Sequence, residues 1–140
     1  NDGRVISNFI TQALQKKDIT IYGDGTQTRS FCYVNDLIEG LFLLMNSSYF
    51  LPINLGNPKE YSIFEIANFI RSKINKNLNF KYYKLPDDDP QKRMPSITKA
   101  KTILKWNPNI NIEEGIDKTI HYFVNYLECS KKNKYNLQNS

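Results

Sequence analysis

Apolar positions along the chain change period several times, and each change marks an element. Ile6, Phe9, Ile10, Ala13 and Leu14 recur at helical spacing and predict a helix over residues 4–15, with Lys16 and Lys17 at its end, where positive charge suits the helix dipole. Ile19, Thr20, Ile21 and Tyr22 are β-branched or aromatic and predict a short strand. Gly23-Asp24-Gly25 tolerates positive φ, so a tight reversal follows, after which 28–34 reads as extended again. Asn35 and Asp36 are placed to cap a second helix over 36–46. Its Leu37, Ile38, Leu41, Phe42, Leu43, Leu44 and Met45 make it apolar on nearly every side, so it is expected to lie sandwiched between layers.

The run 52–56, Pro-Ile-Asn-Leu-Gly, reads as a short buried strand closed by Gly56-Asn57-Pro58. Ser62 and Glu65 form a capping box, and Ile63, Ile66, Ala67, Ile70 and Ile74 give the helix behind it a clean apolar stripe. Residues 78–85 alternate weakly, as a strand would. The stretch 86–95 holds Pro86, Pro90 and Pro95, which suit neither a helix interior nor a central strand, so a loop is expected. Ser96 can cap a short helix over 97–104, ended by Trp106-Asn107-Pro108. A last helix over 112–128 buries Ile112, Ile116, Ile120, Phe123 and Leu127, with Glu113 and Glu114 favourably placed in its first turn. The polar remainder, 129–140, has little to bury and is expected to be a disordered tail after one unit, 1–128. Helices thus alternate with short strands, an α/β pattern with too few strands for a complete doubly wound sheet.

Composition narrows the function. With 140 residues and 40% hydrophobic content, the chain is globular in class and the size of one domain. The formal charge of +5 comes from lysines scattered among polar and apolar residues, which describes a solvated surface rather than a nucleic-acid track. Cys32 and Cys129 lie far apart, with no CxxC or Cys/His cluster, so neither a metal site nor a disulfide framework is implied. The single histidine, His121, falls one position off the stripe of the last helix and reads as a surface residue. No apolar run approaches the roughly 20 residues a membrane-spanning helix needs, and the opening residues do not form a signal peptide.

Three arginines carry the candidate chemistry. Arg29 stands beside the 23–25 turn, and a guanidinium held there can donate two parallel hydrogen bonds to a phosphate; the alternative is that it only pairs with Asp24 or Asp36. Arg4, at a helix start, has no favourable interaction with the dipole there, which leaves either a ligand role or simple solvation. Arg93 follows Asp87-Asp88-Asp89 in the proline-stiffened loop, which is either a self-neutralising surface loop or a functional one. Asn54 is the polar residue of its run: it either satisfies a neighbouring loop or points at a ligand from a strand end. No Gly-rich strand-to-helix fingerprint, P-loop or Tyr-x-x-x-Lys pair is present.

Longer stretches add a resemblance. Residues 1–10 (Asn-Asp-Gly-Arg-Val-Ile-Ser-Asn-Phe-Ile), 22–34 (Tyr-Gly-Asp-Gly-Thr-Gln-Thr-Arg-Ser-Phe-Cys-Tyr-Val), 54–58 (Asn-Leu-Gly-Asn-Pro), 88–95 (Asp-Asp-Pro-Gln-Lys-Arg-Met-Pro), Trp106-Asn107-Pro108 and Glu113-Glu114-Gly115 resemble, in order, the C-terminal part of the UDP-glucuronic acid decarboxylase family. That family, also called UDP-xylose synthases, lies in the extended short-chain dehydrogenase/reductase superfamily of NAD(P)-binding Rossmann folds. The Tyr-Gly and Asn-Leu-Gly segments recur across that superfamily, epimerases and dehydratases included. The Asn-Asp-Gly-Arg opening and the Asp-Asp-Pro-Gln-Lys-Arg loop are more specific to the decarboxylases. Met94 and Ser96 stand where that family more often has Lys and Asp.

The resemblance implies a substrate-binding portion without the Rossmann half that would carry the NAD site and the Tyr-Lys pair, so the isolated chain is expected to be inactive. For the whole enzyme it implies NAD-dependent oxidation at sugar C4, loss of carbon dioxide from the resulting β-keto acid, and return of the hydride to give UDP-xylose. By matching position, Arg4 reaches toward NAD, Tyr22 and its strand hold the nucleobase, Arg29 grips the pyrophosphate, and Asn54 contacts the ribose. Arg93 lines the sugar site beside the reacting carboxylate and is the residue with a chemical role. The family also implies a homodimer for the complete enzyme and a cytoplasmic or Golgi-lumenal setting. A UDP-sugar 4-epimerase, a 4,6-dehydratase or a non-catalytic nucleotide-sugar-binding module are the alternatives.

Overall fold

The first helix, α1 (Val5–Leu14), forms where its apolar stripe predicts, and Phe9, Ile10 and Ala13 on that stripe are buried. The structure, a computed structural model, describes residues 4–86 and 90–138, with side chains through residue 129. Strand β1 (Ile19–Tyr22) follows within the expected limits, with Ile19 and Ile21 pointing inward and fully buried. On its other face Thr20 is tied to α1: its backbone N–H donates to Gln12 Oε1 at 3.0 Å, and its hydroxyl accepts from Gln12 Nε2 at 2.8 Å.

The reversal after β1 needs glycine at both of its ends. Gly23 and Gly25 have φ of 70° and 82°, the left-handed region where a side chain is strained. Between them Asp24 Oδ1 accepts from the Thr26 N–H at 2.9 Å and from its hydroxyl at 2.7 Å, closing an Asx turn. The chain then enters β2 (Thr28–Ser30), followed by α2 (Val34–Met45), β3 (Glu60–Ser62), α3 (Ile63–Ile74), β4 (Phe80–Tyr83), β5 (Lys92–Arg93), α4 (Thr98–Ile103) and α5 (Ile112–Gln138).

These strands make two small sheets. β1 and β4 pair in parallel, Ile19 opposite Phe80 and Tyr22 opposite Tyr83. The other sheet has the order β3-β2-β5, antiparallel between β2 and β3 and parallel between β2 and β5. A first core gathers α1, β1, α3 and the start of α5 around Ile10, Ile19, Ile21, Ile66, Ile70 and Ile116. Each such side chain contributes about 1.5–3 kcal/mol on burial. A second, smaller core holds Ile97, Ala100, Leu104 and Trp106, with Leu43, Leu44, Ile53 and Leu55 packed against it.

Several expectations are revised. Helix α2 begins after Tyr33, which makes no side-chain cap. Asp36, expected as a cap, is instead buried in the first turn, where its Oδ2 accepts from the Ile110 N–H and its backbone carbonyl accepts from Trp106 Nε1, both at 2.9 Å. Fixing a distant loop satisfies this carboxylate better than the helix end would. Nor is α2 sandwiched: its inner side meets Trp106 and Leu55 at Gly40, but Ile38, Leu41, Phe42 and Met45 stay exposed. Residues 52–55 join no ladder with another described strand, whereas 60–62 and 92–93 do. Lys92–Arg93 accordingly is not pure loop; it pairs at a sheet edge, a position that neighbouring prolines permit. Ser96 does not cap α4, whose N-cap is Ile97.

Helix α3 keeps its predicted capping box, Ser62 Oγ accepting from the Glu65 N–H at 3.1 Å and Glu65 Oε2 accepting from the Ser62 N–H at 2.7 Å. Helix α5 is drawn to Gln138, past the expected end near residue 128, with no glycine or proline between to stop it. The acidic run Asp87-Asp88-Asp89 and the opening Asn1-Asp2-Gly3 lie outside the described residues.

Candidate functional site

The site is built on β2. Arg29 sits at its centre, opposite Tyr61 of β3 on one side and opposite Arg93 of β5 on the other. Partners in register project from the same face of a sheet, and neighbouring strands are about 4.8 Å apart. Tyr61, Arg29 and Arg93 therefore form one row across the sheet, with the two arginine side chains leaving from the same face. Arg29 Nη1 donates to the Thr28 carbonyl at 2.7 Å, which holds the base of the group along its own strand. Of the carboxylates that local spacing offered to Arg29, Asp24 is engaged by Thr26 and Asp36 by Ile110. The two hydrogen bonds from Thr26, first its N–H and then its hydroxyl, hold the Asp24 carboxyl below the usual range.

Asn54 reaches the same neighbourhood through the segment after β5. Its Nδ2 donates to the Ser96 carbonyl at 3.3 Å, and Pro95 Cγ lies so near Gly56 that a Cβ there would sit 2.9 Å away. The 54–56 run is thus pressed against residues 95–96, just past Arg93. Tyr22 ends β1 and is half exposed, its ring 5.9 Å from that of Tyr83. Gln27 ties this end of β1 to β2: it is buried, and its Nε2 donates to the Tyr22 carbonyl at 2.7 Å. Sequence reading named Tyr22, Arg29, Asn54 and Arg93; of these, Arg29 and Arg93 are brought into register, while Tyr22 is joined to the approach to β2 through Gln27 and Asn54 to the segment after β5 through Ser96. It did not single out Gln27, whose side chain bonds the Tyr22 carbonyl, or Tyr61 and Tyr83, whose neighbours follow from strand register, of which the local pattern carries no sign.

Arg4 stands apart from this row, exposed at the N-cap of α1. Two residues on, Ile6 shares a small pocket with Phe31, Cys32 and Tyr33, the segment leaving β2. Burial, aided by the Asp36 carboxylate, pushes the Cys32 thiol up, which makes it a poor nucleophile. His121 is exposed on α5. Among the described residues no group of His, Cys, Asp and Glu is placed to hold a metal ion. No helix among them is long and apolar enough to cross a membrane.

Comparison with known proteins assigns this geometry to a class. Residues 1–56 match the NAD dependent epimerase/dehydratase family. Among solved structures, an epimerase from Methanothermobacter thermautotrophicus superposes with a TM-score of 0.88 at 28% identity, over 94% of this chain and 40% of that one. UDP-glucuronic acid 4-epimerase from Bacillus cereus, solved with UDP-glucuronic acid and NAD, superposes with a TM-score of 0.82 at 28% identity, over 89% of this chain and 40% of that one. The fold is a mixed α/β fragment that matches a portion of NAD-dependent epimerase/dehydratase structures.

Within that class the chain is most informatively placed by sequence, and the resemblance to the UDP-glucuronic acid decarboxylases is borne out. It is 50% identical over 135 residues to UDP-glucuronic acid decarboxylase 1 of Xenopus tropicalis, a match covering 96% of this chain and 32% of that protein. UDP-glucuronic acid decarboxylase 2 of Arabidopsis thaliana is 46% identical over 123 residues, covering 88% of this chain and 28% of that protein. The chain thus spans about a third of the length of these relatives.

Proposed function

We propose that the chain is the UDP-sugar-gripping part of a UDP-glucuronate decarboxylase, which as a complete protein converts UDP-glucuronate to UDP-xylose and carbon dioxide. The observation that carries this reading is the register of Arg29 with Arg93. Two arginines directly opposite on neighbouring strands offer several donors on one face, which suits a ligand carrying more than one anionic group. UDP-glucuronate offers a diphosphate and a carboxylate. Arg29, on the inner strand, takes the diphosphate, and Arg93, exposed on the edge strand, takes the carboxylate. Tyr22 with Tyr83 offers aromatic surface to the nucleobase, and Asn54 meets the ribose.

For NAD the chain offers little of its own, since its sequence contains neither the Gly-rich fingerprint nor a Tyr-x-x-x-Lys pair; Arg4 is the residue assigned to reach toward it. The chemistry NAD supplies when bound is reversible hydride removal at sugar C4, which makes the substrate a β-keto acid. Arg93 then fixes the carboxylate relative to the ring and answers the negative charge that develops as the carbon–carbon bond breaks.

The test is a chimera in which this chain replaces the matching part of the Xenopus tropicalis relative. It should release carbon dioxide from UDP-glucuronate, while this chain alone with NAD releases none. In the chimera Arg93→Ala should lower kcat by about 100-fold or more and leave UDP affinity within about twofold. Arg29→Ala should weaken UDP binding by about tenfold. An equal loss of both quantities in Arg93→Ala would make that residue a mere anchor. Formation of the C4 epimer of UDP-glucuronate without carbon dioxide would favour an epimerase, the activity named for the Bacillus cereus neighbour.

A further inference from the structure

Strand β5 by itself is a weak support for the residue assigned to the substrate carboxylate. It consists of Lys92 and Arg93, both exposed, and it pairs with β2 on one side only. Just before it, the Thr28 N–H donates to the Gln91 carbonyl at 2.9 Å. Just after it, the support comes from a different part of the chain. Pro95 lies against Gly56, and one residue further on the Ser96 carbonyl accepts from Asn54 Nδ2 at 3.3 Å.

Positive φ is confined, among the described glycines, to Gly23 and Gly25, so Gly56 is needed for space and not for its backbone conformation. A Cβ there would sit 2.9 Å from Pro95 Cγ and 3.5 Å from Pro95 Cβ, the first of these closer than real Cβ atoms approach. The pyrrolidine ring cannot swing aside as a long side chain would, so the backbone has to give way. The 54–56 run is not the part that yields, since Ile53 and Leu55 pack on the second core and Leu55 meets α2 at Gly40. The chain beyond Ser96 is held too, by Ile97 and Ala100 buried in the same core. Pro95 also keeps Met94 extended, so residues 93–95 make a stiff arm of about 3.3 Å per residue. A push at Pro95 is delivered to Arg93.

We propose that Gly56 is a positioning residue for Arg93: its missing Cβ lets Pro95 seat against the 54–56 run, and that seat sets how far the Arg93 guanidinium reaches over the substrate carboxylate. This rests on the reading that Arg93 holds the carboxylate of UDP-glucuronate. Pairing with β2 places Arg93 opposite Arg29, and the clasp at Gly56 fixes the free side of the same short strand. Where a group must meet a reacting centre, a displacement of about 1 Å costs up to about 100-fold in rate.

Two double-variant cycles in the chimera test the proposal. Gly56→Ala should lower kcat by about tenfold and leave UDP affinity within about twofold. Beside Pro95→Ala, which removes the Cγ, or beside Arg93→Ala, which removes the group being placed, the same substitution should change kcat by no more than about twofold. An unchanged kcat in Gly56→Ala, a full loss that persists in either background, or an equal fall in UDP affinity would overturn the proposal. Were Gly56→Ala to unfold the protein, Pro95→Ala alone decides: it opens the same clasp and should lower kcat by about threefold with UDP affinity kept, and an unchanged kcat there would overturn the proposal. Hydrogen exchange gives a readout that does not need turnover. Gly56→Ala should speed exchange of the Thr28 amide, which bonds the Gln91 carbonyl, by about tenfold, and should not do so beside Pro95→Ala. A chimera that releases no carbon dioxide would refute the decarboxylase reading, and exchange then decides alone: a faster Thr28 amide leaves the hold of Gly56 on β5 standing, and an unchanged one removes it.

Discussion

The two cores of this chain are finished to different degrees. Around α1, β1 and α3 the aliphatic stripes meet one another: Ile10, Ile19, Ile21 and Ile70 are fully buried between the helices and the strand pair, and what stays exposed there is aromatic, Tyr22 and Phe64 among it. Around α2 and Trp106 only the inner half is closed, and five apolar residues of one helix look outward. The difference teaches that apolarity on all sides of a helix does not by itself mean that both sides are buried. The first core is enclosed; the second leaves one face of its helix open.

The sharpest way to break that comparison is to make cavities in each core. Ile70→Ala should destabilise the isolated chain by about 2–5 kcal/mol in urea unfolding, because the site is enclosed and cannot collapse freely. Should truncation of the exposed Phe42 to Ala cost as much, the contrast between the two regions would be false. Next in size, Trp106→Phe keeps most of the packing but leaves the Asp36 carbonyl without its indole donor. It should cost about 1–3 kcal/mol and loosen the 106–110 loop, read as faster exchange of the Ile110 amide.

The smallest effect is at the entrance to α3, on the finished side. Ser62→Ala should cost about 1 kcal/mol by removing the cap. The pH dependence there has a definite sign. Hydrogen bonds from the Ser62 N–H and then its hydroxyl hold the Glu65 carboxyl below its ordinary value of 4.5. Its contribution is therefore complete above that value and is lost as pH falls through the lower, folded-state value. Ser62→Ala should accordingly flatten the acid limb of the stability profile, while a variant on the exposed face of α2 leaves it unchanged.

Local chemistry was legible where the local pattern decides the outcome. The Ser62–Glu65 box, the 23–25 turn and the β1 limits follow from residue type and short spacing, and all appear as expected. Strands β3 and β5 were not legible, because they exist only through their pairing with β2, and neither has the length or alternation to announce itself. Run 52–56 failed in the other direction: its residues are those of a buried strand, but no strand lies beside it among the described residues. Asp36 has the residue type of a cap and the position of one, yet a loop more than seventy residues away claims it. For the site, the candidate arginines were visible one by one, while their neighbourhood, and that of Tyr61, is a product of register.

The chain contains a single tryptophan, and Trp106 is buried beneath α2 with its indole N–H on a backbone carbonyl of that helix. Its fluorescence is consequently a built-in lamp for the unfinished half alone. Loosening of α2 should move the emission to longer wavelength while far-ultraviolet ellipticity, dominated by α1, α3 and α5, still reads as intact.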